Sequence, residues 1–277
     1  MELFDLSGQV VVITGSSEGI GKAIGERMAE HGAQVAFSSR RQDACQARAD
    51  AVNDRYGPGR AIAVACDISQ RPQIAHLVEA TMHAFGRIDC AIGNAKATGA
   101  TQAWIEKLDI DDFTTWFEGN VTNNAYLAQL VSPIMRAQGG GSILFTASTA
   151  GVVTMEDQLG YGASKAALLH LTRMLAVQLG PYNIRVNALA PGIVASRGTD
   201  QGQWSSEEAR AQGVGQTPLG RPGTPDEIAA CAVWLSGPGG AYATGGTFVI
   251  DGGQTLKGMD GPHRLRVWMR EQDEHHL

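Results

Sequence analysis

Short apolar runs alternate along the chain with longer amphipathic segments, and this alternation restricts the fold more than any other feature of the sequence. The runs are almost continuously apolar, which is typical of strands that helices cover on both faces. They lie at Val10–Thr14, Gln34–Ser39, Ala61–Cys66, Ile88–Asn94, Ser142–Ala147, Arg185–Leu189 and Phe248–Asp251. The pattern predicts an α/β fold with one doubly wound parallel sheet of about seven strands and helices on both faces.

The segments between the runs carry helix boundaries. Arg71–Phe85 has Pro72 in its first turn, where the missing N–H costs nothing, and Tyr161–Leu179 stops before Gly180. No repeat or linker interrupts the pattern. We therefore expect one domain over residues 1–253, with residues 254–277 as a C-terminal extension of it.

Composition narrows the possible partners. The chain has 277 residues and a net charge of −6, so a basic surface for nucleic acid or an anionic membrane is not expected. No apolar run approaches the ~18 residues of a membrane span. The four cysteines form no CxxC pair and have no metal-binding spacing, which predicts no metal site and a reducing, cytoplasmic location; they are Cys45, Cys66, Cys90 and Cys231.

The first apolar run leads into a glycine-rich turn and then a helix, over the segment Thr14-Gly15-Ser16-Ser17-Glu18-Gly19-Ile20-Gly21. Gly15 permits a tight turn, Gly19 lets a pyrophosphate approach the backbone, and Gly21 lets the helix pack closely on the strand. The start of the helix offers N–H groups and a partial positive charge to phosphates. This context predicts a dinucleotide site, although the spacing is G-x3-G-x-G and an ordinary tight turn is the alternative.

Further landmarks follow in fixed order: Asp67, Asn94-Ala95, Asn120, Ser148, Tyr161-x3-Lys165, Asn187, Pro191-Gly192 and Asp251-Gly252-Gly253. With the glycine turn, they resemble the short-chain dehydrogenase/reductase family over roughly residues 7–253. The resemblance implies a Rossmann-type fold and an NAD(P)-dependent enzyme. Such an enzyme transfers a hydride between the cofactor and a secondary alcohol or ketone of a small molecule.

The resemblance also implies which residues bind the dinucleotide. Asp67 would bond the adenine amino group, Asn94 would line the adenosine side, and the backbone at Ile193 would bind the carboxamide, with help from Ser196. The full set is Gly15, Ser17, Glu18, Gly19, Ile20, Ser39, Arg40, Arg41, Asp67, Ile68, Asn94, Tyr161, Lys165, Pro191, Ile193 and Ser196. A helix cap is the alternative for Asp67.

The end of the second strand bears on cofactor choice. NAD enzymes place Asp or Glu there, whereas this chain has Ser39-Arg40-Arg41. A guanidinium can pair with a 2′-phosphate in a charge-assisted fork. Glu18 in the glycine turn argues the other way, since a carboxylate repels phosphate. The sequence favours NADP, with NAD possible.

Catalysis is expected from Tyr161 and Lys165, which share a helix face at i and i+4. A free tyrosine has a pKa of ~10, and a neighbouring ammonium is expected to lower it. The resemblance implies that Tyr161 is the acid/base and that Lys165 binds the ribose hydroxyls. It also implies that Ser148 orients the substrate oxygen and that Asn120 holds a water that links Lys165 to solvent. Each residue also has a structural alternative. Tyr161 and Lys165 could be an exposed pair at a helix start, Ser148 a turn residue, and Asn120 a buried residue at a helix kink.

One position departs from the family pattern. The family usually has Asn-Ala-Gly where this chain has Asn94-Ala95-Lys96, and Gly93 replaces a frequent Asn. Lys96 fits either a cation for an anionic group of substrate or cofactor, or a solvated loop lysine. If its backbone required a positive φ, Lys96 would be strained.

Two segments should shape the substrate pocket, Thr149–Leu159 and Ser196–Gly220, the latter with Trp204 as a candidate lid residue. Their mixed polarity favours a small polar substrate. A 3-oxoacyl-thioester reductase is an alternative enzyme. A redox-inert, dinucleotide-binding regulator or scaffold is the alternative from another class.

A homotetramer is expected, because family members commonly pair the helices that correspond to Asp112–Gln138 and Tyr161–Leu179. The second segment carries apolar residues on more than one face: Ala166, Ala167, Leu169 and Leu171. The extension would reach a neighbouring pocket through Arg264, Arg266 or Arg270.

Overall fold

The computed structural model describes residues 2–97, 104–155, 158–195, 206, 215 and 217–256. Within these residues, a 7-stranded sheet has the order β3-β2-β1-β4-β5-β6-β7. All neighbouring strands are parallel. The predicted α/β fold with a doubly wound, Rossmann-type sheet is confirmed.

The strand positions follow the apolar runs closely. The strands are β1 (Val10–Thr14), β2 (Gln34–Ser39), β3 (Ala61–Ala65), β4 (Cys90–Gly93), β5 (Gly141–Thr146), β6 (Ile184–Pro191) and β7 (Thr247–Ile250). The first two match the prediction, and the others shift at one end or both. These shifts arise because strand ends depend on pairing with neighbours, which residue type alone does not encode.

The helices of the described residues are α1 (Gly19–Glu30), α2 (Gln42–Tyr56), α3 (Arg71–Phe85), α4 (Ile110–Phe117), α5 (Asn123–Gln138), α6 (Leu159–Leu179) and α7 (Pro225–Ser236). The expected continuous helix Asp112–Gln138 is wrong. A π-helical turn over Glu118–Thr122 divides it into α4 and α5. Such turns often mark functional sites in helices.

Each face of the sheet has its own core. One core contains Ile24 and Met28 of α1 with Ile228 of α7. The other contains Leu77 of α3, Val131 of α5 and residues of α6. Leu169 lies in this second core at 4% exposure, so the expectation that it adds an outward apolar face is wrong. Ala166 is exposed as expected, and Met174 and Val177 are the large exposed apolar residues of α6.

The strand order reverses next to β1. From β1 the chain moves outward through β2 and β3, and it then returns to place β4 on the other side of β1. In open α/β sheets, ligands bind in the crevice at the carboxyl ends of the strands at such a switch point. The glycine turn after β1 and the Asn94–Ala97 turn after β4 form its two sides.

The four cysteines are free thiols, and three of them are buried. Burial raises the pKa of Cys66 to about 12 and the pKa values of Cys90 and Cys231 to about 11. Across the described ranges, no helix is long and apolar enough to cross a membrane. The same ranges hold no cluster of His, Cys, Asp or Glu that could bind a metal ion.

Candidate active site

The glycine turn has the backbone that phosphate binding requires. Gly15 and Gly19 have positive φ angles of 68° and 59°. A Cβ on Gly15 would lie 2.8 Å from Ala95 Cα, and one on Gly21 would lie 2.3 Å from the Gly15 carbonyl oxygen. Glu18, the N-cap of α1, forms no side-chain cap, so α1 begins without capping of its first N–H groups. This bare helix start, set against a close turn, fits a dinucleotide pyrophosphate.

The expected ribose side of the crevice carries paired charges. The Arg41 guanidinium contacts the Glu18 carboxylate at 2.9 Å and the Ser17 hydroxyl at 3.5 Å. Ser39 Oγ accepts a hydrogen bond from the Arg41 N–H at 3.1 Å. No carboxylate ends β2, and Arg40 is exposed beside it. Glu18 therefore neutralises part of the charge of Arg41.

Asp67 follows β3 in a local turn. Its Oδ1 accepts the Ser69 N–H at 3.0 Å, and its carbonyl accepts the Gln70 N–H at 3.0 Å. It is thus a turn residue just before α3, whose N-cap is Gln70. The carboxylate is only partly buried, so this turn is compatible with the expected bond to an adenine amino group. Ile68 beside it packs partly against the second core.

A hydrogen-bond chain joins the glycine turn to Lys165. Asn94 Nδ2 donates to the Gly15 carbonyl at 2.8 Å, and Asn94 Oδ1 accepts from Thr146 Oγ1 at 3.2 Å. The Thr146 carbonyl in turn accepts from Lys165 Nζ at 2.7 Å. Asn94 thereby fixes three strand ends relative to one another. Both atoms of its side-chain amide bond to the protein, at Gly15 and Thr146. Only the main chain of Asn94 is therefore left to line the adenosine side of the cofactor as expected.

The π-helical turn orients Asn120 towards α6. Asn120 is fully buried; its Oδ1 accepts the Ala97 N–H at 3.3 Å, and its Nδ2 donates to Ser164 Oγ at 3.0 Å. Ser164 Oγ donates to the Tyr161 carbonyl at 2.8 Å. The Asn120 carbonyl accepts Asn124 Nδ2 at 2.8 Å. Asn120 therefore links the turn after β4 to the first turn of α6.

Tyr161 lies between Ser148 and an aromatic wall. The Ser148 hydroxyl interacts with the phenol and favours its ionised form, and Ser148 Oγ accepts the Ala150 N–H at 3.2 Å. The indole of Trp116 packs edge-on against the Tyr161 ring, with centroids 5.2 Å apart at 71°. A Cβ on Gly160 would lie 2.7 Å from this indole, so the glycine makes the contact possible.

The electrostatics of Tyr161 and Lys165 differ from the expectation. Burial raises the pKa of the Tyr161 phenol, and the interaction with Ser148 opposes this rise only in part. Burial, with a smaller contribution from the charge of Lys96, lowers the pKa of Lys165 to about 7. The predicted lowering of the phenol pKa by Lys165 is therefore wrong for this structure. At this pKa the buried Lys165 is only partly charged at neutral pH, which weakens its effect on the phenol.

The segment after β6 completes the crevice in part. Pro191 ends β6, and a Cβ on Gly192 would lie 2.7 Å from Asp251 Cβ. The Ile193 carbonyl accepts the Gly223 N–H at 2.9 Å. Ser196, Trp204, Arg264, Arg266 and Arg270 lie outside the described residues, as does most of Ser196–Gly220.

Several residues of the site were not predicted. Thr146, Ser164 and Asn124 gave no signal, because buried polar residues on strands and helices are common. Asn124 occupies the space that a side chain at residue 93 would need, since a Cβ on Gly93 would lie 1.9 Å from its Oδ1. Gly93, which replaces a frequent Asn of the family, was the one sequence feature that could have indicated the position of Asn124. Trp116 has the helical spacing of a core residue.

A glycine turn at a switch point, together with a Ser–Tyr–Lys constellation beside it, defines a dinucleotide-dependent oxidoreductase. The family model described as enoyl-(acyl carrier protein) reductase matches residues 15–255. The NAD-dependent glycerol dehydrogenase of Listeria innocua is 33% identical over 259 residues, which cover 92% of this chain and 96% of that protein.

Solved structures agree. A 7α-hydroxysteroid dehydrogenase complexed with NADH and 7-oxoglycochenodeoxycholic acid has a TM-score of 0.85 and 32% identity, covering 91% of this chain and 96% of its own. The L-sorbose reductase of Gluconobacter frateurii, complexed with NADPH and L-sorbose, has a TM-score of 0.85 and 30% identity, with coverages of 93% and 100%. The chain belongs to the short-chain dehydrogenase/reductase family and is an NAD(P)-dependent oxidoreductase.

Proposed function

We propose that the protein interconverts a secondary alcohol and a ketone of a small polar molecule, with Tyr161 as the acid/base. The arrangement of Ser148, Tyr161 and Lys165 carries this proposal. Ser148 interacts with the phenol and opposes part of the rise in its pKa, and Lys165 Nζ lies 5.7 Å from the ring centroid. When bound, the nicotinamide supplies or accepts the hydride.

Tyr161 moves the proton in this proposal. In reduction, its O–H bond breaks and the proton passes to the ketone oxygen; in oxidation, the phenolate takes the proton of the alcohol. The raised pKa keeps the phenol protonated at neutral pH, which suits donation to a ketone. Ser148 orients the substrate oxygen through its contact with the phenol. A scaffold protein has no need of this arrangement, which argues against a redox-inert role.

Lys165 and Asn120 support the phenol. We propose that Lys165 turns from the Thr146 carbonyl to the ribose hydroxyls of the dinucleotide, and that its charge then favours phenolate in the oxidative direction. The side chain of Asn120 is committed to Ala97 and Ser164. A water relay at Asn120 would therefore use the main-chain carbonyl oxygen of Asn120. This oxygen already accepts a hydrogen bond from Asn124 Nδ2 and has a second lone pair for the water.

The proposed cofactor is NADP rather than NAD. Arg40 is free of ion pairs within the described ranges, and no carboxylate ends β2 to receive a ribose 2′-hydroxyl. Arg41 reaches the same turn but shares its charge with Glu18. A 2′-phosphate would therefore be held mainly by Arg40 and Ser39, with Arg41 as a second cation.

A 3-oxoacyl-thioester reductase remains the second candidate, because the matching family model carries an acyl-carrier-protein description. The chemistry at Tyr161 would be the same. The net charge of −6 disfavours docking of an acidic carrier. Free thioester analogues in the substrate screen separate the two candidates.

The assembly is proposed to be a homotetramer in the cytoplasm. The outward face of α6 exposes Met174 at 49% and Val177 at 78%, which a two-fold interface would cover. Free thiols at all four cysteines are consistent with a reducing compartment. Light scattering at micromolar concentration checks the assembly, and a monomer would refute it.

The test of function is Tyr161→Phe, assayed against a panel of alcohols and ketones by the absorbance of the reduced nicotinamide. Turnover should fall by about 10²–10⁴-fold, because the proton donor is lost. Dinucleotide binding should stay nearly unchanged. Tyr182→Phe makes the same chemical change on the surface beside Arg136 and should leave turnover intact. A Tyr161→Phe variant that keeps more than about a tenth of the activity contradicts the assignment.

A further inference from the structure

The turn that carries Lys96 is fixed on both sides. On one side, Ala95 packs on Gly15, and its N–H donates to Thr14 Oγ1 at 3.1 Å. On the other side, Ala97 packs on Gly119, where a Cβ would lie 2.5 Å from Ala97 Cβ, and its N–H bonds to Asn120. The neighbours of Lys96 are thus held between the glycine turn and the π-helical turn at Glu118–Thr122.

Lys96 itself stands out from this turn without backbone strain. Among the described non-glycine residues, Asn183 alone has a positive φ, so the alternative that Lys96 is strained is excluded. Its side chain is exposed, and within the described ranges no carboxylate lies within ion-pair distance of it. The turn therefore presents an uncompensated ammonium at the switch-point crevice.

The charge of Lys96 affects the electrostatics of Lys165 in the catalytic site. It contributes to lowering the pKa of Lys165, although burial is the larger cause. Two cationic groups thus face one crevice, and their mutual repulsion is unfavourable. An anion bound near Lys96 would screen this repulsion, so the crevice favours an anionic guest.

We propose that Lys96 is a specificity-determining residue that binds a carboxylate of the substrate, which makes the substrate an oxo acid or hydroxy acid. The inference rests on the proposed function. The dinucleotide phosphates share this anionic chemistry, but the bare start of α1 and the glycine turn already provide for them. Lys96 lies instead beside the turn that Asn120 ties to α6, on the side of Tyr161 and Lys165.

The test compares short 2-oxo and 3-oxo acids with their methyl esters, which keep the ketone and remove the charge. Calorimetry measures binding to the NADP-loaded protein, and kcat/KM is measured in parallel. The native chain should bind each acid at least about tenfold more tightly than its ester. Lys96→Met should remove that preference by weakening acid binding alone, and Lys96→Arg should retain it.

Lys107→Met is the matched control, since Lys107 is exposed on the next described segment and makes no contribution to the pKa of Lys165. It should leave the acid/ester ratio unchanged. Equal weakening of acids and esters in Lys96→Met would overturn the proposal, as would a native chain that binds neither or binds both equally. Weakened NADP binding with an unchanged ratio would assign Lys96 to the cofactor phosphates and also overturn it.

These outcomes are separable from the fate of the proposed function. Acid binding that depends on Lys96, without turnover of any ketone, would support the anion site and refute the oxidoreductase chemistry. Turnover of neutral ketones without any acid preference would support the chemistry and refute the role of Lys96.

Discussion

The two ends of the crevice are built by opposite means. At the catalytic end, Asn120, Ser164 and Lys165 are at most 2% exposed and are connected by hydrogen bonds to the backbone. At the ribose end, Arg41 and Glu18 form an ion pair whose side chains are 52% and 55% exposed. Burial makes each polar contact at the catalytic end costly to lose, whereas water and salt screen the charges at the ribose end.

This difference separates two properties of the enzyme. Geometry at the catalytic end depends on complete satisfaction of buried groups, so most substitutions there should reduce both stability and turnover. The ribose end depends on charge, and an exposed ion pair adds little stability. Cofactor preference should therefore be adjustable without loss of the fold. Substitutions should therefore have their largest effects at the buried end and their smallest at the exposed end.

Asn120→Ala should have the largest effect at the buried end after loss of the phenol itself. It leaves the buried Ala97 N–H without its partner and removes the bond to Ser164, at a cost of about 1–3 kcal/mol in the free energy of unfolding. Because Ser164 bonds to the Tyr161 carbonyl, turnover should also fall, by at least about tenfold. Urea denaturation and steady-state kinetics measure the two effects.

Asn53→Ala is its matched control. Asn53 bonds to the Ala61 carbonyl and to the N–H groups of Arg60 and Ala61, each at 2.9 Å, far along the chain from the site. It should lose comparable stability and keep its turnover. If both variants lose turnover in proportion to stability, Asn120 has no specific role in positioning.

The pH dependence of stability should reveal the burial of Lys165. Its pKa falls from 10.5 to about 7 in the folded chain, so above pH 7 the unfolded chain binds more protons. Stability should therefore rise from about pH 7 towards pH 9, by at most about 1.4 kcal/mol per pH unit. Urea midpoints across this window measure the slope.

Above about pH 9 the buried thiols oppose this rise. Burial raises the pKa values of Cys66 and Cys90, so the unfolded chain loses thiol protons that the folded chain retains, and stability decreases. Lys165→Met should remove the rise between pH 7 and 9 and leave the decrease above it. An unchanged slope in that variant would show that Lys165 remains charged when folded.

The strands of the fold and the identity of the catalytic residues could be predicted from the sequence, but the packing around those residues could not. Apolar runs placed every strand core, and motif order placed Ser148, Tyr161 and Lys165 together. The break in the helix at Glu118–Thr122 and the contact of Trp116 with Tyr161 were not predicted. Both depend on packing between distant segments, which residue spacing does not encode. The direction of the phenol pKa failed for the same reason, since burial is a tertiary property.

Arg40→Ala tests the ribose end. It should weaken NADP binding by roughly 1–3 kcal/mol, the scale for losing a hydrogen bond to a charged group, and barely change NAD binding. Fluorescence titration with both dinucleotides gives the ratio directly. Urea midpoints should not move, because Arg40 is exposed. Equal losses for NADP and NAD would make Arg40 a structural residue.

Glu18→Gln should have the smallest effect and the opposite sign. It removes a carboxylate that repels a 2′-phosphate and releases Arg41 from its ion pair, so NADP should bind a few-fold more tightly, with a gain of about 0.2–1 kcal/mol. The gain should shrink as salt is added, because both side chains are exposed. Glu30→Gln, which disrupts the exposed ion pair of Glu30 with Arg27 on the same helix, is the control and should leave NADP affinity unchanged. If Glu18→Gln weakens NADP binding instead, Glu18 holds Arg41 in the orientation that receives the phosphate, and the ribose end is organised by geometry as the catalytic end is.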